Sequence, residues 1–109
     1  MRIVVSILAI LFGLLHIAAA RTQLKSTDPA ARGFSIAMLC GGVCTVCEAV
    51  AHLAGGGLGW VDAIGVAAGC LLICASAYGN GRRAGKVHPS HHIVRGVIAV
   101  VLVVGVLIW

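Results

Sequence analysis

Four long, nearly uncharged apolar runs separated by three connections constrain this chain more than any other feature. They cover residues 3–20, 33–53, 58–78 and 93–109. At ~1.5 Å per helical residue each is roughly 26–32 Å long, about one hydrocarbon core. Continuous apolar runs lack the alternation of a membrane barrel strand, and a helix satisfies its own backbone hydrogen bonds in lipid. The expected fold is all-α, an integral membrane four-helix antiparallel transmembrane bundle. One domain over 1–109 accounts for the chain, with helices at about 3–20, 29–54, 58–79 and 92–109.

Composition supports lipid exposure. With 61% hydrophobic and 10% charged residues in 109, the chain carries more apolar surface than a soluble domain of this size can bury. The basic residues then set an orientation. Arg21, Lys25, Arg32, Arg82, Arg83, Lys86 and Arg95 fall on one side of such a topology and only Arg2 on the other. The positive-inside rule therefore predicts cytoplasmic long connections and both termini outside, in a plasma membrane of bacterial type. The net charge of +5 makes anionic lipid headgroups the expected partner of these connections, and no folded domain supports a nucleic-acid reading. Arg2, the apolar stretch after it and Ala18-Ala19-Ala20 imitate a signal peptide. Cleavage there would put the basic connections outside, against the charge rule, so the first run is read as a retained helix.

Local residues punctuate the runs. Asp28 before Pro29 is placed to cap a second helix that begins ahead of the membrane. The connection at 54–59 is short and glycine-rich, which predicts a tight hairpin between helices two and three. Trp60 and Trp109 suit the outer interface, and Tyr78 the inner one. Residues 79–90 read as a flexible basic loop, in which Gly85-Lys86 lacks the glycine and hydroxyl of a phosphate loop. Helices one and four carry bulky Ile, Leu and Val, whereas two and three are rich in Gly, Ala and Cys. Small residues favour close helix contact, so the hairpin of two and three is expected to be the tightly packed centre.

The five cysteines all lie in that hairpin. Cys40, Cys44 and Cys47 share about 60° of a helical wheel, and Cys70 and Cys74 about 40°. If the hairpin folds about Gly57, Cys40 matches Cys74 in depth and Cys44 matches Cys70. Such thiolates could bind Cu(I) or Zn, with His16 as a nitrogen ligand. The competing reading is that cysteine serves as a small apolar packing residue beside Ala37, Ala51, Ala63 and Ala67. The spacing of Cys44 and Cys47 resembles a redox motif, but it lies mid-helix and not at a helix N-terminus.

A second cluster lies toward the opposite end. Glu48 is the most deeply placed acid, and His52 follows it one turn later. Asp62 opens helix three on the same side, and Arg2 can approach from helix one. Acids at this depth need partners, so these four residues read either as a proton or cation site or as a salt-bridged plug. His88, His91 and His92 form a third group, either a metal-binding tract or an interfacial patch on lipid headgroups.

In length and helix count the chain resembles the small multidrug resistance transporters, four-helix chains that work as dimers. That resemblance covers architecture, since residues 8–15 carry no acid at the place of that family's first-helix glutamate. No nucleophile–base pair or cofactor fingerprint points to an enzyme. The sequence therefore leaves a small transporter or an accessory membrane subunit, as a homodimer or in a larger membrane complex. A thiolate-based metal-binding or redox membrane protein is the alternative.

Overall fold

The computed structural model describes residues 1–55 and 59–109; the hairpin pivot assigned to Gly57 lies outside the described residues. Four helices run in the order α1 (Arg2–Gln23), α2 (Pro29–Ala54), α3 (Gly59–Arg83) and α4 (Pro89–Ile108). Each is long and apolar enough to cross a membrane.

Capping chemistry explains where the helices begin and end. Asp28 sits in an extended conformation ahead of Pro29, and its carboxylate accepts the Ala30 N–H at 3.0 Å, which starts α2. α2 stops at Gly55, whose φ of +73° lies in the left-handed region that a Cβ disfavours. α3 departs from the sequence reading, because residues 79–83 continue the helix where a loop is expected. The Phe34 ring packs against Gly79, where any side chain on α3 would collide with it. Asn80 donates to Gln23 Oε1 at 2.8 Å, which fastens this extra turn to the end of α1. The helix then closes in a Schellman motif: Gly85 N–H reaches Arg82 O, Lys86 N–H reaches Gly81 O, and Gly85 takes a φ of +65°.

α2 is the axis of the packing, for it makes the closest associations with both α1 and α3. Adjacent glycines do this. A Cβ on Gly41 would lie 2.7 Å from the Gly69 carbonyl of α3, and one on Gly42 would lie 2.9 Å from the Gly13 carbonyl of α1. The tight centre is therefore three helices wide, and α1 belongs to it although its composition is bulky. Its buried stripe, Ser6, Ala9, Gly13, His16 and Ala20, is small, while Leu8, Leu11 and Leu15 face outward. α4 leans mainly on α3 through Ala99, Leu102 and Val106, and meets α1 sparsely.

The interior mixes a few large side chains, Met38, Val66, Ile73, Leu102 and Val106, with many small ones, while most of the large apolar side chains lie outside. Ser6, Ala9, Ala20, Ser35, Thr45, Ala49 and Ala63 are buried, whereas Ile3, Leu15, Ile64, Leu71, Ile93 and Val101 are exposed.

Candidate functional site

The strongest polar contact in the interior joins α2 to α3. His52 Nδ1 lies 3.1 Å from Asp62 Oδ2, with both residues buried. His52 Nε2 is also buried and has no hydrogen-bond partner among the described residues. Glu48, one turn earlier, does not join this pair. Its carboxyl lies against Gly65 of α3, where the absent side chain makes room, and it is half-buried with no hydrogen bond or ion pair among the described residues. Arg2 forms an ion pair with neither acid among the described residues. Its guanidinium lies over Gly55, at the C-terminal end of α2, where the helix dipole is negative. The four residues are therefore split into a His52–Asp62 pair, a separate Glu48 and an Arg2 beside the end of α2.

The thiols diverge by face. Cys44 turns toward α3 and donates to the Gly65 carbonyl at 3.4 Å, and Cys70 is buried on the facing helix. Cys74 is half-buried, while Cys40 and Cys47 lie exposed on the outer face of α2. Among the described residues no group of three His, Cys, Asp or Glu side chains is placed to hold a metal ion. His16, the expected nitrogen ligand, has both ring nitrogens engaged. Nδ1 is 2.7 Å from the Phe12 carbonyl, and Arg95 Nε donates to Nε2 at 3.1 Å. A carbonyl only accepts and a guanidinium only donates, so the proton is on Nδ1 and the Nε2 lone pair is occupied. The set Cys40, Cys44, Cys70, Cys74 and His16 is not brought together.

A polar site lies at the end carrying the first and third connections. A cavity of about 730 Å³ is lined there by Asp28, Arg83, Lys86, His88, His91, His92 and Arg95. Arg83 donates to Asp28, ties the first connection to the end of α3 and holds the Asp28 carboxyl below its usual range; the Ala30 N–H acts in the same direction. His92 packs edge-on against Tyr78, with ring centroids 5.5 Å apart, so this histidine is part of the α3–α4 contact. Beyond Arg95 a second cavity of about 770 Å³ continues between α1 and α4, lined by Leu, Val, Ile and Phe side chains with His16, Ser90, His91 and Arg95 at its polar end.

Sequence reasoning missed the pairing of Arg95 with His16. The available signal was a single arginine in the otherwise apolar run 93–109, together with a first run in which His16 is the only ionisable side chain between residues 3 and 20.

No family model, curated protein or solved structure matches the chain. Its function is therefore argued from this arrangement alone.

Proposed function

We propose that the chain is an integral membrane protein of a bacterial-type plasma membrane, folded as an antiparallel transmembrane bundle, and that it acts as an accessory subunit docking through α2. The outward placement of most large apolar side chains supports membrane insertion, since large apolar side chains suit lipid and small ones suit helix contact. The longest dimension, 41 Å, matches a bilayer of ~40–45 Å including its headgroups.

The observation that carries the accessory role is the outer face of α2. Gly33, Cys40, Cys47 and Ala54 recur at heptad spacing, and all four are exposed. α2 already spends two faces on α1 and α3. Ile36, Val43 and Val50, also exposed, flank this row at the same spacing, so the third face sets a row of small residues beside a row of bulky ones, the a and d pattern on which another helix can pack closely.

Cys40 and Cys47 make the test direct. Mild oxidation of native membranes is expected to give one adduct of defined mass, lost in Cys40→Ala/Cys47→Ala; no adduct, or a continuous ladder, rejects docking through this face. A second reading rests on Glu48, a half-buried acid without a partner among the described residues. On that reading Glu48 carries protons or cations. pH-dependent uptake by reconstituted vesicles that disappears in Glu48→Gln would replace the accessory role with transport.

A further inference from the structure

We propose that the crevice between α1 and α4 binds one anionic phospholipid, with its phosphate on Arg95 and an acyl chain in the apolar groove beyond. The proposal rests on the membrane reading above but not on the docking role of α2.

Arg95 is the decisive residue. It lies in the second turn of α4, half-buried, and is positioned through its Nε by His16. His16 cannot neutralise it, because that imidazole donates its only proton to Phe12. The terminal nitrogens of Arg95 make no hydrogen bond to a described residue, and no carboxylate is left to supply one. The chain holds three acids in all. Asp28 is bound by Arg83, Asp62 by His52, and Glu48 lies against Gly65. A guanidinium without a counter-charge is costly unless water or an external anion reaches it, and the polar cavity beside Arg95 admits either. The planar guanidinium fork matches a phosphate.

Arg95 also stands where the polar and apolar cavities meet, since both are lined by it, His16 and His91. The apolar groove is bounded at its far end, where Val5 of α1 closes on Gly105 of α4. Between these limits the walls run from Leu8 to Leu15 and from Val94 to Val101, roughly 10 Å at 1.5 Å per residue. That fits part of one acyl chain in a leaflet ~15 Å deep. A free anion would leave this wall unused.

Charge selects the headgroup. Lys86 and the N-terminal end of α4, whose N-cap His88 makes no side-chain cap, add positive potential around the phosphate position. The ammonium of a zwitterionic lipid would find no free carboxylate there. Phosphatidylglycerol meets the requirement.

The test is native mass spectrometry of the full chain after equilibration with equal phosphatidylglycerol and phosphatidylcholine of matched chains. One retained phosphatidylglycerol per chain is expected, with about a tenfold preference, equivalent to ~1.4 kcal/mol. Arg95→Gln should abolish the preference. Arg21→Gln, which removes an exposed charge that lines neither cavity, should leave it intact. If circular dichroism shows that Arg95→Gln does not fold, Val97→Trp decides, because it fills the groove, retains Arg95 and should expel the lipid. Equal retention of the two lipids overturns the proposal, as does equal loss in the Arg95 and Arg21 variants. Competition by excess glycerol phosphate, with no effect of Val97→Trp, would show a free-anion site instead. Alkaline extraction of the chain from membranes would reject the membrane reading itself, whereas failure of lipid selectivity in an inserted protein rejects only this site.

Discussion

Gly41 and Gly42 set how closely three helices approach, because each removes a side chain from a different interface. Gly41→Val would drive two methyl groups into the Gly69 backbone 2.7 Å from the new Cβ. We expect a loss of about 1–3 kcal/mol, read as a lower unfolding temperature in detergent. Gly33 is the contrast, for a Cβ there meets nothing within 4 Å, and Gly33→Ala should stabilise by roughly 0.5–1 kcal/mol. At the opposite end of α2, Asp62→Ala leaves His52 with no partner at either ring nitrogen among the described residues. A loss of about 1–3 kcal/mol is expected, in contrast to Glu48→Gln, which breaks no hydrogen bond to a described residue and should alter stability little. The sequence made the small-residue stripes and the His52 and Asp62 positions legible, since both follow from helical periodicity. It did not separate Cys44 and Cys70 from Cys40 and Cys47, because a spread of 60° on a wheel spans the boundary between a packed face and an exposed one.

Helix ends were less legible than helix middles. Asp28-Pro29 gave the start of α2 because both residues act locally, but the extra turn of α3 depends on partners far along the chain, Phe34 and Gln23. Glycines at 79, 81 and 85 read alike in sequence, yet only Gly85 takes a positive φ. Gly85→Ala should therefore cost about 1–2 kcal/mol and fray the last turn of α3, visible as faster amide exchange at Arg82 to Lys86. Asp28 gives the basic end an acid sensitivity. Its carboxyl is held below the usual 3.8, first by the Arg83 side chain and then by the Ala30 N–H. A group whose folded pKa is depressed contributes stability that is present above the unfolded value, about pH 4, and is lost as pH falls through the lower folded value. Amide protection at the start of α2, taken relative to the intrinsic exchange rate, should weaken as pH falls below about 4, and Asp28→Asn should remove that pH dependence.

At the scale of the whole molecule, contacts between distant segments gather most of the basic charge at one end. Gln23 with Asn80 and Asp28 with Arg83 hold the first and third connections together, and Tyr78 with His92 joins α3 to α4 at the same end, whereas Arg2 lies near Gly55 and Val5 meets Gly105 elsewhere. Seven of the eight Lys and Arg residues belong to the first group of segments or lie within two turns of them. The connections are short enough for the charge rule to act on each, so the basic end should face the cytoplasm. A variant lacking its native cysteines and carrying Ser90→Cys should react with a membrane-impermeant maleimide only after cells are opened. Labelling of intact cells would invert the orientation. The same experiment measures how firmly the bias holds. Neutralising Arg82, Arg83 and Lys86 to Gln leaves four basic residues against one, an excess of the same sign, so the labelling should not change. Moving the bias should require the first connection as well, and only when Arg21, Lys25 and Arg32 are also neutral, leaving Arg95 against Arg2, should both orientations appear. Mixed orientation after the third connection alone is neutralised would place the topogenic information in that connection rather than in the summed charge of the basic end.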